Sequence, residues 1–523
     1  MAVAGIAVLA WAIFARTWNV GQRPFWQDEA CWAEMVERAP YADLLTQAEL
    51  PAPPLFAVAS KLIGSWVRPP EIGLRLLSIV CGVAVVPLVY VVARTLGAAR
   101  SVALAAMTLS SSNILLVIWS REFHQYEVEA VFAVLLAWLV FRVRREARPR
   151  ARIMLATAIL LTSGIGPWFG YGMTFAAAPL LGLLVVLRPI AGRGALNRAA
   201  GLVSLAALGI SLLVLARQVG ANQADNEALR AFMGNWFIDP GDLTTWLRAA
   251  KYGTATTCMM LVPIPIVRHM TLVTGLGLLI WLVALIGIRT WPRRGRIELA
   301  CWVVAPWLLL MIAAVLHQYP FGVMRTMAFV APGMCVALAG GVVNIGRACA
   351  QVFVGRGAPG IVVAAIATAA PIGWVVQVPL ANRYWIRQDF PGVLGVLESQ
   401  RGPLEPVLVM RAAVPSVRYY AGQAGASFTY VPLAAGTRPV PRFDYLGFIR
   451  NELRTAGARF WLLTTNDSND EIRQQVFSEA RRLGYEARRV AGPPVGEDDY
   501  DEVAQLYRIE RVRAAGSKGQ SDR

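Results

Sequence analysis

Two adjacent carboxylates, Asp28-Glu29, follow the first apolar run of this 523-residue chain. A carboxylate at a membrane surface can take a proton from an acceptor hydroxyl, so the pair offers a general base. Two solvated loop charges would look the same, and the dipeptide alone does not separate the readings. A second cluster, Ser120-Arg121-Glu122-Phe123-His124-Gln125-Tyr126, is a polar turn between two apolar runs. Here Glu122 could position an acceptor or hold a divalent cation; equally, the charges could snorkel while Tyr126 joins an interfacial aromatic belt. The third, Tyr319-Pro320-Phe321-Gly322-Val323-Met324-Arg325, leads into a span with Arg325 about one turn inside. An arginine there is costly unless it reaches water or pairs, with a lipid phosphate or with a protein carboxylate. Arg75, near the start of the second span, carries the same two readings. Displacing a phosphate by a hydroxyl needs both a base and a cation at the departing group, and both types are present. His124, His269 and His317 could converge on a metal, although polar residues at membrane boundaries account for them equally.

The elements that must position these residues are spans of a bilayer. The chain is 56% hydrophobic and only 16% charged, with a mean hydropathy of +0.49, too apolar for a soluble protein of this length. Apolar runs long enough to cross about 30 Å of hydrocarbon recur up to residue 380 or so. They predict about eleven spans, near 2–18, 73–95, 102–119, 127–142, 152–168, 171–188, 198–217, 271–290, 298–317, 323–345 and 359–380. Glycine, proline and Trp168 interrupt the stretch 152–188, which reads either as two short helices or as one broken helix. Net charge is +17, and the Arg clusters 142–152, 188–198 and 289–296 lie between spans. The positive-inside rule makes those linkers cytoplasmic, so 19–72, 120–126, 218–270, 317–322 and the tail from 381 fall outside. No aromatic interleaving or nucleic-acid motif accompanies the charge, which excludes nucleic acid as the partner.

The first run lacks a basic leader and a small-x-small cleavage site before Arg16, so it reads as a retained span. In the long outer loop, the spacing from Trp32 to Ala39 suits an amphipathic helix on the membrane surface. The six cysteines show no metal-binding spacing; Cys31 and Cys258 are both expected outside, where a disulfide could form. From about 385 the pattern changes to a small soluble α/β domain. Strands are expected at Val407–Met410, Phe428–Val431, Phe460–Thr464 and Gln505–Ile509, with helices at 444–457 and 471–484. The expected organisation is a transmembrane domain over 1–380, an extracytoplasmic α/β domain over 381–512 and a frayed tail over 513–523.

At these residues the chain resembles the bacterial members of the protein-mannosyltransferase and aminoarabinose-transferase superfamily of GT-C glycosyltransferases (families 39 and 83). The resemblance rests on Phe25-Trp26-Gln27-Asp28-Glu29-Ala30, Pro53-Pro54-Leu55-Phe56, Leu74-Arg75-Leu76-Leu77-Ser78 and Pro87-Leu88-Val89-Tyr90, in the family's order and approximate spacing. The turn Ser120–Tyr126 stands where the family has a Ser-Gln-Glu-Ala-Arg-Met-Tyr-like stretch. Tyr319–Arg325, Arg418-Tyr419-Tyr420 and Phe460-Trp461-Leu462-Leu463 are also similar to the family. The resemblance implies a polytopic α-helical membrane protein of GT-C fold with a small soluble domain, in the cell membrane and with its active site outside. It implies an enzyme that moves a sugar from a polyprenyl-phosphate donor to a hydroxyl of a lipid, glycan or protein by inverting single displacement. Asp28 would be the catalytic base, Glu29 its neighbour and Glu122 the second acid, with Arg75 and Arg325 on the phosphate and Arg121, His124, Tyr126 and Tyr319 about the substrates. One departure stands out: His124 occupies the place of the family's arginine, and Arg121 precedes Glu122. The residues identify no cofactor, and the outer carboxylates and histidines leave metal dependence open, with room for a divalent cation. A lipid-diphosphate-oligosaccharide ligase or polymerase would share this topology. A lipid or solute transporter is the other alternative, although its polar breaks would be expected near the midplane.

Overall fold

The computed structural model describes residues 2–46, 52–187, 194–220, 234–260, 270–323, 325–353, 388–402, 405–410, 413–421, 429–430, 459–465, 470–492 and 504–511. In chain order its helices are α1 (Ala2–Thr17), α2 (Gln27–Arg38), α3 (Tyr41–Thr46), α4 (Pro54–Gly64), α5 (Pro70–Thr95), α6 (Arg100–Ser111), α7 (Ile114–Ser120), α8 (Tyr126–Arg145) and α9 (Pro149–Phe169). Then come α10 (Met173–Val186), α11 (Gly194–Gly220), α12 (Leu243–Met259), α13 (Met270–Thr290), α14 (Arg293–Val315), α15 (Ala331–Phe353), α16 (Phe390–Gln400), α17 (Val414–Ala421) and α18 (Asp470–Arg482). The chain forms two compact units, one of Met1–Gly21 with Ala39–Ala381 and the other of Gln22–Arg38 with Asn382–Arg523. The segment carrying Asp28 and Glu29 therefore belongs to the second unit, whereas the sequence reading kept the whole outer loop with the membrane domain.

The first unit is helical. Among the described residues seven helices are long and apolar enough to cross a membrane, or eight with the bent pair α6–α7 counted as one span. Apolar side chains such as Leu202, Ile210 and Leu213 on α11 and Leu278 and Leu282 on α13 are exposed, which suits a hydrocarbon surround. Of the eleven expected spans, the one at 359–380 lies outside the described residues. Two others form helices without meeting the length and polarity of a span: α8, which carries acids at one end and arginines at the other, and the 14-residue α10. The expected interruption of 152–188 is the break Gly170–Gly172 between α9 and α10.

Local chemistry explains two features that bear on the site. The span expected at 102–119 bends by 49° between α6 and α7, because Asn113 starts a new helix by accepting a hydrogen bond from the Leu116 N–H at 3.2 Å. Glycines also let α13 and α15 touch backbone to backbone: a Cβ on Gly287 would collide with the Ala337 carbonyl, and one on Gly341 with that of Val283.

Among the described residues the second unit is built on a five-stranded sheet of order β2-β1-β3-β5-β4, from β1 (Val407–Val409), β2 (Thr429–Tyr430), β3 (Arg459–Thr464), β4 (Tyr485–Ala491) and β5 (Gln505–Arg511). β1 runs parallel to β2 and β3, while β5 is antiparallel to β3 and β4. Side chains alternate across the sheet. Val407, Val409, Trp461 and Leu463 pack with Phe390, Leu394 and Val417 on one face; Leu408, Phe460 and Leu462 pack with Val476 and Tyr507 on the other. With both faces covered, β1 and β3 read as continuous apolar runs. The strands expected at 407–410, 428–431, 460–464 and 505–509 are present to within a few residues, as is the helix at 471–484; the helix at 444–457 falls outside the described residues. β4, α16 and α17 were not expected, β4 because it is an edge strand whose Glu486, Arg488 and Arg489 break the apolar pattern.

The surface helix expected around Trp32–Ala39 is α2, and its apolar stripe is covered by protein. Ala30, Trp32, Ala33 and Val36 are buried, α2 packs on α17, and Phe25 meets Tyr419 edge-on at 5.3 Å. The amphipathic period is real, but the unit's own α17, and not a bilayer, supplies the apolar surface.

Candidate active site

Asp28 and Glu29 occupy the first turn of α2 and do different things. Glu29 is wholly buried and its Oε2 accepts from the Trp26 N–H at 3.4 Å, the backward arm of a capping box in which the third helical residue satisfies the residue before the helix. Asp28 is half-buried at the same helix start, where the N-terminal dipole favours a negative charge. The segment is pinned at three points within its unit: Phe25 N–H to the Tyr420 hydroxyl at 2.6 Å, Gln27 N–H to Gln388 Oε1 at 2.7 Å, and the Tyr419 hydroxyl to Glu37 at 3.3 Å. Tyr419 and Tyr420, which only the family resemblance marks in the sequence, thus hold the helix that carries Asp28. On the same helix, burial first and the charges of Asp28 and Glu34 next push the Cys31 thiol up to about 12. Cys31 and Cys258 are both free thiols.

The remaining expected residues lie in the first unit, and most are enclosed there. Arg75 on α5 is fully buried and donates to the Val20 carbonyl at 3.0 Å; Arg121 donates to the Trp18 carbonyl at 2.9 Å. Both guanidiniums therefore tie down the chain that leaves α1. Glu122 and His124 are buried in the turn between α7 and α8, which Ser78 secures by donating to the His124 carbonyl at 2.7 Å. Phe56 stacks on Phe123 at 5.6 Å, and the Tyr126 ring lies 5.4 Å from both Trp119 and His124.

Tyr126 connects this turn to a second group. Tyr319, half-buried between α14 and α15, lies within electrostatic reach of Tyr126, Glu129 and Arg325, and its hydroxyl bonds the Thr326 side chain. Burial, reinforced by Glu129, holds that hydroxyl well above its usual range, so it stays a neutral hydrogen-bond donor. Phe175 packs against Tyr319 at 4.9 Å and stacks on Phe329 at 6.3 Å. Arg325 begins a 3-10 turn, Arg325–Val330, and is half-buried. The structure thus brings together Tyr126, Tyr319 and Arg325, and adds a residue that the sequence reading did not single out, Glu129.

Glu129 sits one turn into α8 and is almost completely buried. Its carboxylate accepts from the backbone N–H groups of Tyr171 and Gly172, yet Oε2 has no hydrogen-bond partner among the described residues. Only glycines permit that approach, since a Cβ at 170 or 172 would run into the Glu129 side chain. Tyr171, in the same turn, is pushed up to about 12 by burial and then by Glu129. The Gly170-Tyr171-Gly172 interruption was the available signal; it was legible as a helix break and not as a cradle for an acid. Among the described residues no three His, Cys, Asp or Glu side chains cluster to hold a metal ion, and His269 lies outside them.

No family model matches the chain, and no curated protein matches it by sequence. Solved structures share its fold. The aminoarabinose transferase ArnT from Cupriavidus metallidurans in the apo state superposes with a TM-score of 0.56 at 12% identity, over 97% of this chain and 98% of that one. The same protein bound to undecaprenyl phosphate gives 0.53 at 13%, over 96% and 97%. The oligosaccharyltransferase of Archaeoglobus fulgidus, in complex with Zn and sulfate, gives 0.53 at 12%, over 91% of this chain and 69% of that one. The chain is a polytopic α-helical membrane protein with the GT-C fold and a small sheet domain, as the resemblance implied.

Proposed function

We propose that the chain is an integral membrane glycosyltransferase that moves a sugar from a polyprenyl-phosphate donor to an acceptor hydroxyl on the extracytoplasmic side, by inverting single displacement. The observation that carries the reading is the group formed by the segment before α15 and the start of α8: a half-buried cation, Arg325, near a neutral hydroxyl donor, Tyr319, and Glu129, whose buried Oε2 has no hydrogen-bond partner among the described residues. Support for the donor class comes from neighbours of the same fold, one holding undecaprenyl phosphate and another, from Archaeoglobus fulgidus, holding dolichol-phosphate.

In this reading Asp28 takes the acceptor proton, placed by the capped and pinned start of α2. Arg325 and the Tyr319 hydroxyl stabilise the charge that builds on the leaving phosphate. Glu129 accepts a hydrogen bond from a substrate hydroxyl through Oε2, acting beside or in place of Glu122. Arg75 and Arg121, tied to main-chain carbonyls, position the turn and leave the phosphate to Arg325.

Sugar transfer by the purified chain, measured across a panel of polyprenyl-phosphate sugars with native membrane extract as acceptor, tests the reading. Asp28→Asn is expected to lower transfer by about 10²–10⁴-fold, the usual contribution of a general base. Activity that survives the substitution removes Asp28 as the base. Absence of transfer from every monophosphate donor, with transfer from a lipid diphosphate, would move the chain to the ligase or polymerase class.

A further inference from the structure

Arg16 lies in the first apolar helix, a span by length and composition, and is completely buried. Its guanidinium donates to the Ser111 carbonyl at 3.0 Å, the Ser110 carbonyl at 3.3 Å and, in its own helix, the Ala12 carbonyl at 3.3 Å. Ser110 and Ser111 end α6 at the bend, where the last carbonyls of a helix lose their intrahelical partners. Unsatisfied carbonyls are expensive in an apolar surround, so Arg16 makes the bend tolerable. Trp11, also on α1, donates to the Ser112 hydroxyl at 3.2 Å and docks the same helix on the same break.

Glu127, in the first turn of α8, is the acid that faces Arg16. It is fully buried, and it lies within electrostatic reach of Arg16 without direct ion-pair contact. Neither of its oxygens has a hydrogen-bond partner among the described residues. Around the pair, α5 passes close on Gly82, where a Cβ would stand 3.0 Å from Arg16 Nε, and Cys81 is near Glu127. One arginine therefore holds the end of α6, from which α7 starts, and attracts the start of α8. The segment between α7 and α8 is the turn that carries Arg121, Glu122 and His124.

We propose that Arg16 is a positioning residue: through the α6 carbonyls on one side and the Glu127 carboxyl on the other, it sets the turn 121–125. The lock is a property of the fold and does not depend on the transferase reading; only its effect on transfer does.

Thermal unfolding in detergent and amide hydrogen exchange across 111–126 test it, on wild type, Arg16→Lys, Arg16→Gln, Glu127→Gln and the double Gln variant of the full chain. Each Gln single variant is expected to speed exchange in 111–126 about tenfold, and the double variant to be less damaged than the sum, as expected for coupled partners. Arg16→Lys, which keeps the charge, should restore slow exchange and, in the transfer assay, most of the kcat that Arg16→Gln loses. Additive effects, or Gln variants with wild-type exchange, overturn the proposal. Should Arg16→Gln fail to fold, Glu127→Gln decides: unchanged exchange in 111–126 overturns the lock. A chain with no transferase activity would still show the exchange pattern, so the two readings fail separately.

Discussion

The two ends of α8 handle charge in opposite ways. At its C-terminal end Arg142 pairs with Glu146 at 2.9 Å, Arg144 with Glu298 at 2.9 Å, and Arg145 with the same Glu298. Cations there meet carboxylates directly, and Glu298 is satisfied from two sides. About 30 Å away, at the N-terminal end of a 20-residue helix, Arg16, Arg75 and Arg121 donate to backbone carbonyls, while Glu127 and Glu129 keep oxygens that no described protein group fills. Both placements suit the helix dipole, acids at the start and arginines in the last turn. The difference lies in what is left over. Closed ion pairs fasten helices together; at the other end the buried oxygens of Glu127 and Glu129 keep unused hydrogen-bonding capacity.

Breaking the closed end should cost the most stability. Glu298→Gln would strand two guanidiniums, one 5% and one 20% exposed, and is expected to destabilise the fold by about 3–5 kcal/mol, seen as a lower unfolding temperature in detergent. The corresponding change at the open end, Glu129→Gln, should leave the unfolding temperature unchanged or raised, because a buried carboxylate is replaced by a neutral amide that still accepts from the turn. Its cost should appear in transfer, about ten- to a hundredfold for one lost hydrogen bond to a charged group. A large loss of stability in Glu129→Gln, or none in Glu298→Gln, would erase the distinction between the ends.

A labelling experiment sharpens the same comparison with a smaller effect. Cys349 is exposed near the end of α15, on the side of the membrane opposite the turn 317–323 if that helix crosses once. In a chain retaining Cys349 alone, a membrane-impermeant maleimide should react in inverted vesicles and not in intact cells, which would identify the arginine-rich end as cytoplasmic. In a chain retaining Cys31 alone, little reaction is expected at pH 8 from either side. With the thiol pushed up to about 12, only about 10⁻⁴ of it is thiolate, and reactivity should rise as pH approaches that value.

Much of the fold could be read from the residues because its signals are local. Apolar runs marked most helices of the first unit, and short apolar runs marked the strands covered on both faces. What escaped was set by tertiary context. α8 reads as a span but carries acids and arginines at its ends; β4 is an edge strand whose polar side chains hide it. Of the residues with a proposed role, Asp28, Tyr319 and Arg325 stood out by type and setting. Glu129 and Arg16 did not, because each depends on backbone groups distant in sequence: the Tyr171 and Gly172 amides for one, the Ser110 and Ser111 carbonyls for the other. Arg75 was noticed for its position near the start of a span, and the fold adds what the sequence does not show: the guanidinium is buried and donates to the Val20 carbonyl.

The glycine contact between α13 and α15 bears on how the protein is made. Spans enter the bilayer in chain order, so α13 must wait for α14 to insert before α15 arrives. In the interval Gly287 presents bare backbone to lipid, and it finds van der Waals partners only when Ala337 and Gly341 close on it. Helices α13 and α15 should therefore stay loosely associated during synthesis until they close on each other in a late step.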